Sequence, residues 1–135
     1  MRAGGINWAA VLVAALAVYL IGFVIYGIVI PEDTWLAWEG DSPAQLAAVG
    51  DSRMPFGVIM PLMMAIFLAV LFKWGRVDSA LKGAKWAAIV ALASAIPAEM
   101  YAWVYGVGMI EITVVDGVHL LLGHLAAGAI IGGWR

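Results

Sequence analysis

The sequence predicts an all-α integral membrane protein, an antiparallel four-helix transmembrane bundle, on three observations. Hydrophobic residues make up 65% of the 135, charged residues only 12%, and mean hydropathy is +1.02, far outside the range of water-soluble domains. Four windows reach or approach the roughly 20 apolar residues that cross a bilayer as a helix: 6–30, 54–74, 86–109 and 117–134. The polar segments between them alternate in sign of charge. No alternating strand pattern of a barrel appears, so residues 1–135 are read as a single transmembrane domain.

The first window follows Arg2 and contains the small residues of "AALA", as a secretory signal would, but its apolar run continues to Ile30. That is too long for a cleaved segment, so a retained span is expected. The loop after it carries Glu32, Asp33, Glu39, Asp41 and Asp51 against Arg53, whereas the loop between spans two and three carries Lys73, Arg76, Lys82 and Lys85 against Asp78. Arg2 and Arg135 fall on the basic side. By the positive-inside rule that face is cytoplasmic, with both termini inside. Trp8, Trp74, Trp86 and Trp134 mark the same ends of the four spans, at the headgroup level that indoles prefer. In the acidic outer loop, "DSPAQLAAVG" offers Ser42 as N-cap, Pro43 at the first helical position, Gln45 for a capping box and Gly50 as a stop. A short interfacial helix is expected there, with Leu46, Val49, Trp35 and Trp38 on the membrane surface.

Between helices in lipid, association rests on close backbone approach, so small residues mark the seams. Span three carries Ala91, Ala95, Ala98 and Ala102 on one helical face, and span four carries Gly128 and Gly132 in a GxxxG. Ala10, Ala14 and Gly22 do the same for span one. Met60, Met63 and Met64 read as adaptable packing.

One carboxylate, in "SAIPAEMYAWVYG", interrupts span three. At 1.5 Å per residue Glu99 falls about 15 Å below the outer end, His124 about 11 Å, and Tyr19 and Met64 about 16 and 15 Å. A carboxylate in hydrocarbon must face the bundle interior and keep its proton or find a partner. An intramembrane cluster of Glu99, His124, Tyr19 and Tyr101 is therefore expected, with Glu99 touching His124 directly or through water. Pro97 breaks the helix beside it and frees the carbonyl of Ala93. In "DGVHLLLGH", Asp116 is expected to cap span four with His119 turned back toward it.

Cysteine is absent, which excludes thiol catalysis and thiolate metal sites. Seven basic against nine acidic residues offer nucleic acid no surface. His119 and His124 lie about 140° apart around one helix and cannot clasp a haem. No serine elbow, spaced carboxylate pair or phosphate-cradling loop is present. No enzyme activity, metal or cofactor is expected.

The stretches "INWAAVLVAALAVYLIGFVIYG", "SRMPFG" and "DGVHLLLGHLAAGAIIGGW" resemble the bacterial membrane family catalogued as domain of unknown function 1761. Asn7, Trp8, Asp116, His119 and the glycine-rich last helix carry the resemblance. It implies a small multi-span protein of a bacterial inner membrane, with no catalytic residues to carry over. The leading expectation is a non-enzymatic structural or accessory subunit, whose partners are the lipid bilayer and other membrane subunits or further copies of itself. The alternative is a proton-coupled or small-solute transporter using Glu99 and His124.

Overall fold

The computed structural model describes residues 1–134, and all their side chains except those of Val49, Asp51 and Met54. The expected seat of Val49 on the interface and the place of Arg135 on the basic face lie outside the described residues. The chain begins with a feature absent from the sequence reading, a hairpin of β1 (Arg2–Ala3) and β2 (Ile6–Asn7). Gly4 and Gly5 turn it at φ of 60° and 77°, the left-handed pair that a two-residue hairpin loop requires.

Four helical stretches are long and apolar enough to cross a membrane: Trp8–Val29, Pro55–Trp74, Ala80–Tyr105 and Ile110–Gly133. The first is α1 (Trp8–Val24) extended by a π-helical turn, Ile25–Val29. Asn7 caps α1 through the Ala10 amide, and its Nδ2 donates to the Trp134 carbonyl at 3.0 Å. The start of the first span and the end of the last therefore meet at one end of the bundle. The second comprises a 3₁₀ turn, Met54–Val58, and α4 (Ile59–Trp74). The third joins α5 (Ala80–Val90) to α6 (Ile96–Tyr105) through a second π turn, Ala91–Ala95. This widened turn lies just before Pro97, whose missing amide makes the regular ladder unavailable there. The fourth is one helix, α7 (Ile110–Gly133).

The boundaries of spans three and four differ from those read in the sequence, and the third span ends at Tyr105 rather than Met109. Ser79 accepts from the Lys82 amide, so the third helix starts at Ala80, placing Trp86 almost two turns inside it. The fourth starts seven residues earlier than Gly117. Glu111 and Asp116 resemble loop residues by composition. Glu111 however sits in the first turn of α7, where the helix dipole favours a negative charge, and Asp116 is satisfied from another helix.

The outer loop holds two helices. The expected one is α3 (Pro43–Arg53), where the Ser42 hydroxyl bonds the Gln45 amide and side chain; it runs past Gly50 to Arg53. The other, α2 (Glu32–Glu39), ends on Gly40 at φ 83°, with the Asp41 amide donating to the Leu36 carbonyl. Buried Leu36 anchors α2, and the Met109 amide ties it to the loop before α7 by donating to the Trp38 carbonyl at 2.7 Å.

Small residues fill the interior and large ones face outward, as expected where the surrounding solvent is lipid. Ala10, Val11, Ala14, Ala65, Ala87, Ala91 and Ala127 are fully enclosed, whereas Leu16, Phe23, Met60, Met63 and Phe67 are more than half exposed. Met64 packs partly against the core. The closest seam joins α5 to α7. A Cβ on Gly83 would collide with the Gly128 carbonyl; one on Gly128 would lie 2.5 Å from Ala87 Cβ, and one on Gly132 2.6 Å from the Ser79 carbonyl oxygen. Of the predicted seam, Gly128, Gly132 and Ala91 are buried and Ala95 is half-buried, but Ala98 and Ala102 are exposed. Beyond the π turn the third span still adjoins α7 but packs on it less closely than α5 does, and no residue of α6 is buried.

Gly83→Ala and Gly128→Ala should each lower the unfolding free energy by about 1–3 kcal/mol through overpacking, despite alanine's better helix propensity. Gly57→Ala, whose Cβ meets open space, should stay within about 0.5 kcal/mol. Reversible unfolding in mixed micelles measures both.

Candidate functional site

The polar groups converge at the end of the bundle opposite Asn7 and Trp134. Tyr26, in the π turn that ends the first span, donates its hydroxyl to Asp116 Oδ1 on α7. The Tyr26 ring stands edge-on to His119, with centroids 5.4 Å apart, and edge-on to Trp35 of α2 at 6.4 Å. Tyr26 thus pins α1, α2 and α7 together. His119 has room because residue 22 is glycine: a Cβ there would lie 3.0 Å from its Nε2. The small residue expected to serve helix packing instead makes space for an imidazole.

Asp116 is therefore not a helix cap. It lies about 9 Å along α7 from Ile110 at 1.5 Å per residue, and Met109 occupies the N-cap without a side-chain bond. Glu99 lies about 9 Å from the Tyr105 end of α6 by the same measure, so the two carboxylates share one level. Both line a cavity of about 350 Å³ together with Glu39 and Asp41 from the loop above, beside Trp103 and Thr113. No basic residue lines it. Like charges around a confined space favour retained protons or a bound cation.

The expected cluster around His124 is not assembled. His124 is buried, 4% exposed, and its Nδ1 lies 2.7 Å from the Leu120 carbonyl one turn back. A carbonyl only accepts, so Nδ1 carries the proton. His124 sits about 12 Å deeper along α7 than Asp116, and among the described residues no hydrogen bond joins it to Glu99. Tyr19 and Tyr101 are 47% and 68% exposed, facing away from the interior, and Tyr101 stacks on Tyr105 at 5.7 Å. The difference in depth comes from two span ends, the start of span four at Ile110 rather than Gly117 and the end of span three at Tyr105 rather than Met109. Starting span four at Gly117 raises His124 toward the depth of Glu99 and puts Asp116 outside. Tyr26 lies near the end of its span, where hydropathy gives no sign of an interior role, although its spacing from Gly22 marks the face it shares with His119. Among the described residues no three His, Asp or Glu side chains converge as a metal cage.

A family model described as protein of unknown function (DUF1761) matches residues 9–132, from the first turn of α1 to the last turn of α7. It is the family expected from the "SRMPFG" and "DGVHLLLGH" stretches. No curated protein and no solved structure matches the chain.

Tyr26→Phe removes the bond to Asp116 and should cost about 1.5–3 kcal/mol of stability, the range for a hydrogen bond to a charged group, read in the same micellar unfolding assay. Glu39, outside the spans, titrates above the usual glutamate range, first from desolvation and then from the nearby Asp116 and Asp41 carboxylates. Folding therefore favours its protonated form, and its charge opposes folding above that raised value. Glu39→Gln should raise the melting temperature near neutral pH, and the gain should vanish below the ordinary glutamate range, where the wild-type carboxyl is protonated in both states.

Proposed function

The chain belongs to the family described as protein of unknown function (DUF1761), and on that premise we propose that it is a non-enzymatic multi-pass carrier of protons or a small cationic solute. One observation carries the reading: carboxylates from two spanning helices, Glu99 and Asp116, line one cavity with two loop acids and no cation. Ionisable groups at such depth are costly and are kept where a pathway uses them. The pair replaces Glu99 and His124 as the exchange site, with Tyr26 and His119 beside Asp116 as the adjoining hydrogen-bonding groups. Pro97 and the preceding π turn supply the helix break on which transporter sites are commonly built. The α2 helix, held to the loop before α7, is the element positioned to gate access from the acidic side. The positive-inside rule puts both chain ends in the cytoplasm and the cavity on the opposite face of a bacterial inner membrane.

A second reading is favoured by the outer half of the third span. Ala87 and Ala91 are buried lower in this span, yet no residue of α6 is, and Ala98 is exposed outside the cavity lining. A small exposed residue on a spanning helix suits a further membrane helix, from an accessory partner or a second copy. Purification of the chain from native membranes alone and monomeric would remove this reading.

In vesicles reconstituted with the chain, a pH gradient should drive a flux that Glu99→Gln and Asp116→Asn each reduce at least about tenfold, an effect of at least about 1.4 kcal/mol. Glu111→Gln, on α7 but outside the cavity lining, should leave it unchanged. An unaltered flux in both cavity variants, or no wild-type flux across a broad panel of cations, overturns the proposal.

A further inference from the structure

At the other end of the bundle lies a second cleft, of about 280 Å³, around which Arg2, Lys73 and Arg76 are gathered with no carboxylate in its lining. Its floor is apolar, formed by Phe72 and Ile131, and Trp134 stands at its rim. Among the described residues the one ion pair joins Asp78 to Lys82, so the three cations of the cleft have no acidic counterpart. Mutually repelling charges do not gather by packing alone.

Two backbone devices hold them there. The Gly4–Gly5 turn folds the first residues back along α4, and a Cβ on Gly5 would lie 3.3 Å from Lys73 Cε. The lysine stem thus runs over a bare glycine, under the hairpin that carries Arg2. Arg76 is the one described non-glycine residue at positive φ, 49°. It occupies the left-handed position that ends α4, with the Val77 amide donating to the Phe72 carbonyl at 3.0 Å. Glycine is the usual residue at this position, and any other costs about 1 kcal/mol or more. A strained arginine lining a cleft of cations is an outlier of the kind that accompanies binding.

We infer that this cleft binds the headgroup of an anionic phospholipid, its phosphate between Arg2, Lys73 and Arg76 and its acyl chains leaving along the apolar floor. Arginine and lysine together suit a phosphate. The apolar floor and the rim tryptophan, at the level where indoles meet headgroups, select a lipid over free phosphate. The site is separate from the acidic cavity, and its existence does not depend on transport.

Native mass spectrometry and thermal unfolding of the full chain in neutral detergent test this, with phosphatidylglycerol, phosphatidylcholine and inorganic phosphate as probes. The expected result is a saturable adduct of one phosphatidylglycerol per chain and a rise in melting temperature that neither other probe gives. Arg76→Gly keeps the left-handed backbone and removes the charge, so it should fold at least as stably as wild type yet bind phosphatidylglycerol about tenfold more weakly. Arg2→Gln, at an exposed position, should weaken it in the same direction. Equal response to phosphatidylcholine, equal response to inorganic phosphate, or wild-type affinity in both variants would overturn the inference.

Discussion

The contact of backbone on backbone between α5 and α7 is the constraint on which the rest of this molecule depends. Lipid removes most of the hydrophobic drive that would hold two helices together in water, and what replaces it is the approach allowed by Gly83, Gly128 and Gly132. The same need explains why alanines crowd the interior, beside a few larger residues such as Leu68 and Phe72, while most of the large side chains cover the outside. Ala87 and Ala91 extend the seam to the π turn. Past that turn the close contact of backbone on backbone ends.

Polar function becomes possible where that contact stops. Had α6 packed on α7 as closely as α5 does, no space would remain for Glu99 and Asp116 to line. The opening is bounded above by α2, which is held by buried Leu36 and by the hydrogen bond from Met109. Tyr26 fixes the remaining side through Asp116 and His119. The two ends of the bundle are thus opposites in charge and in construction: an acidic cavity between diverging helices, and a basic cleft under a hairpin.

Much of this was legible in the sequence, and the failures have physical causes. Hydropathy located four spans because a helix in hydrocarbon must be apolar throughout, and Gly128 and Gly132 announced their seam by spacing. Ser42, Pro43 and Gln45 announced α3 by capping chemistry. The boundaries were less visible, because hydropathy marks the hydrocarbon edge while hydrogen bonding carries a helix beyond it. Glu111 and Asp116 therefore disguise the first turns of α7, and that displacement of seven residues, with the four by which the third span ends early at Tyr105, brings His124 and Glu99 to similar depths in the sequence reading. The α2 helix carried its own signals, Pro31 before acids in the first turn and Gly40 after the last, within a segment read only as loop. The Gly4–Gly5 turn was overlooked because hairpins of two-residue strands leave no periodic pattern. Nothing in the one-dimensional pattern could place Tyr26 against His119 without the depth of both helices.

The absence of native cysteine allows the central claim, a third span clamped below its π turn and open above it, to be measured without background. Ala91→Cys, buried where the π turn begins, and Ala102→Cys, in the lining of the acidic cavity, each a single thiol, are to be treated in intact membranes with a membrane-impermeant maleimide applied from the acidic side. The account predicts rapid labelling at 102 and none at 91. Equal protection at both positions would mean that the helices stay in contact to the outer end, leaving no cavity for Glu99 and Asp116 to line.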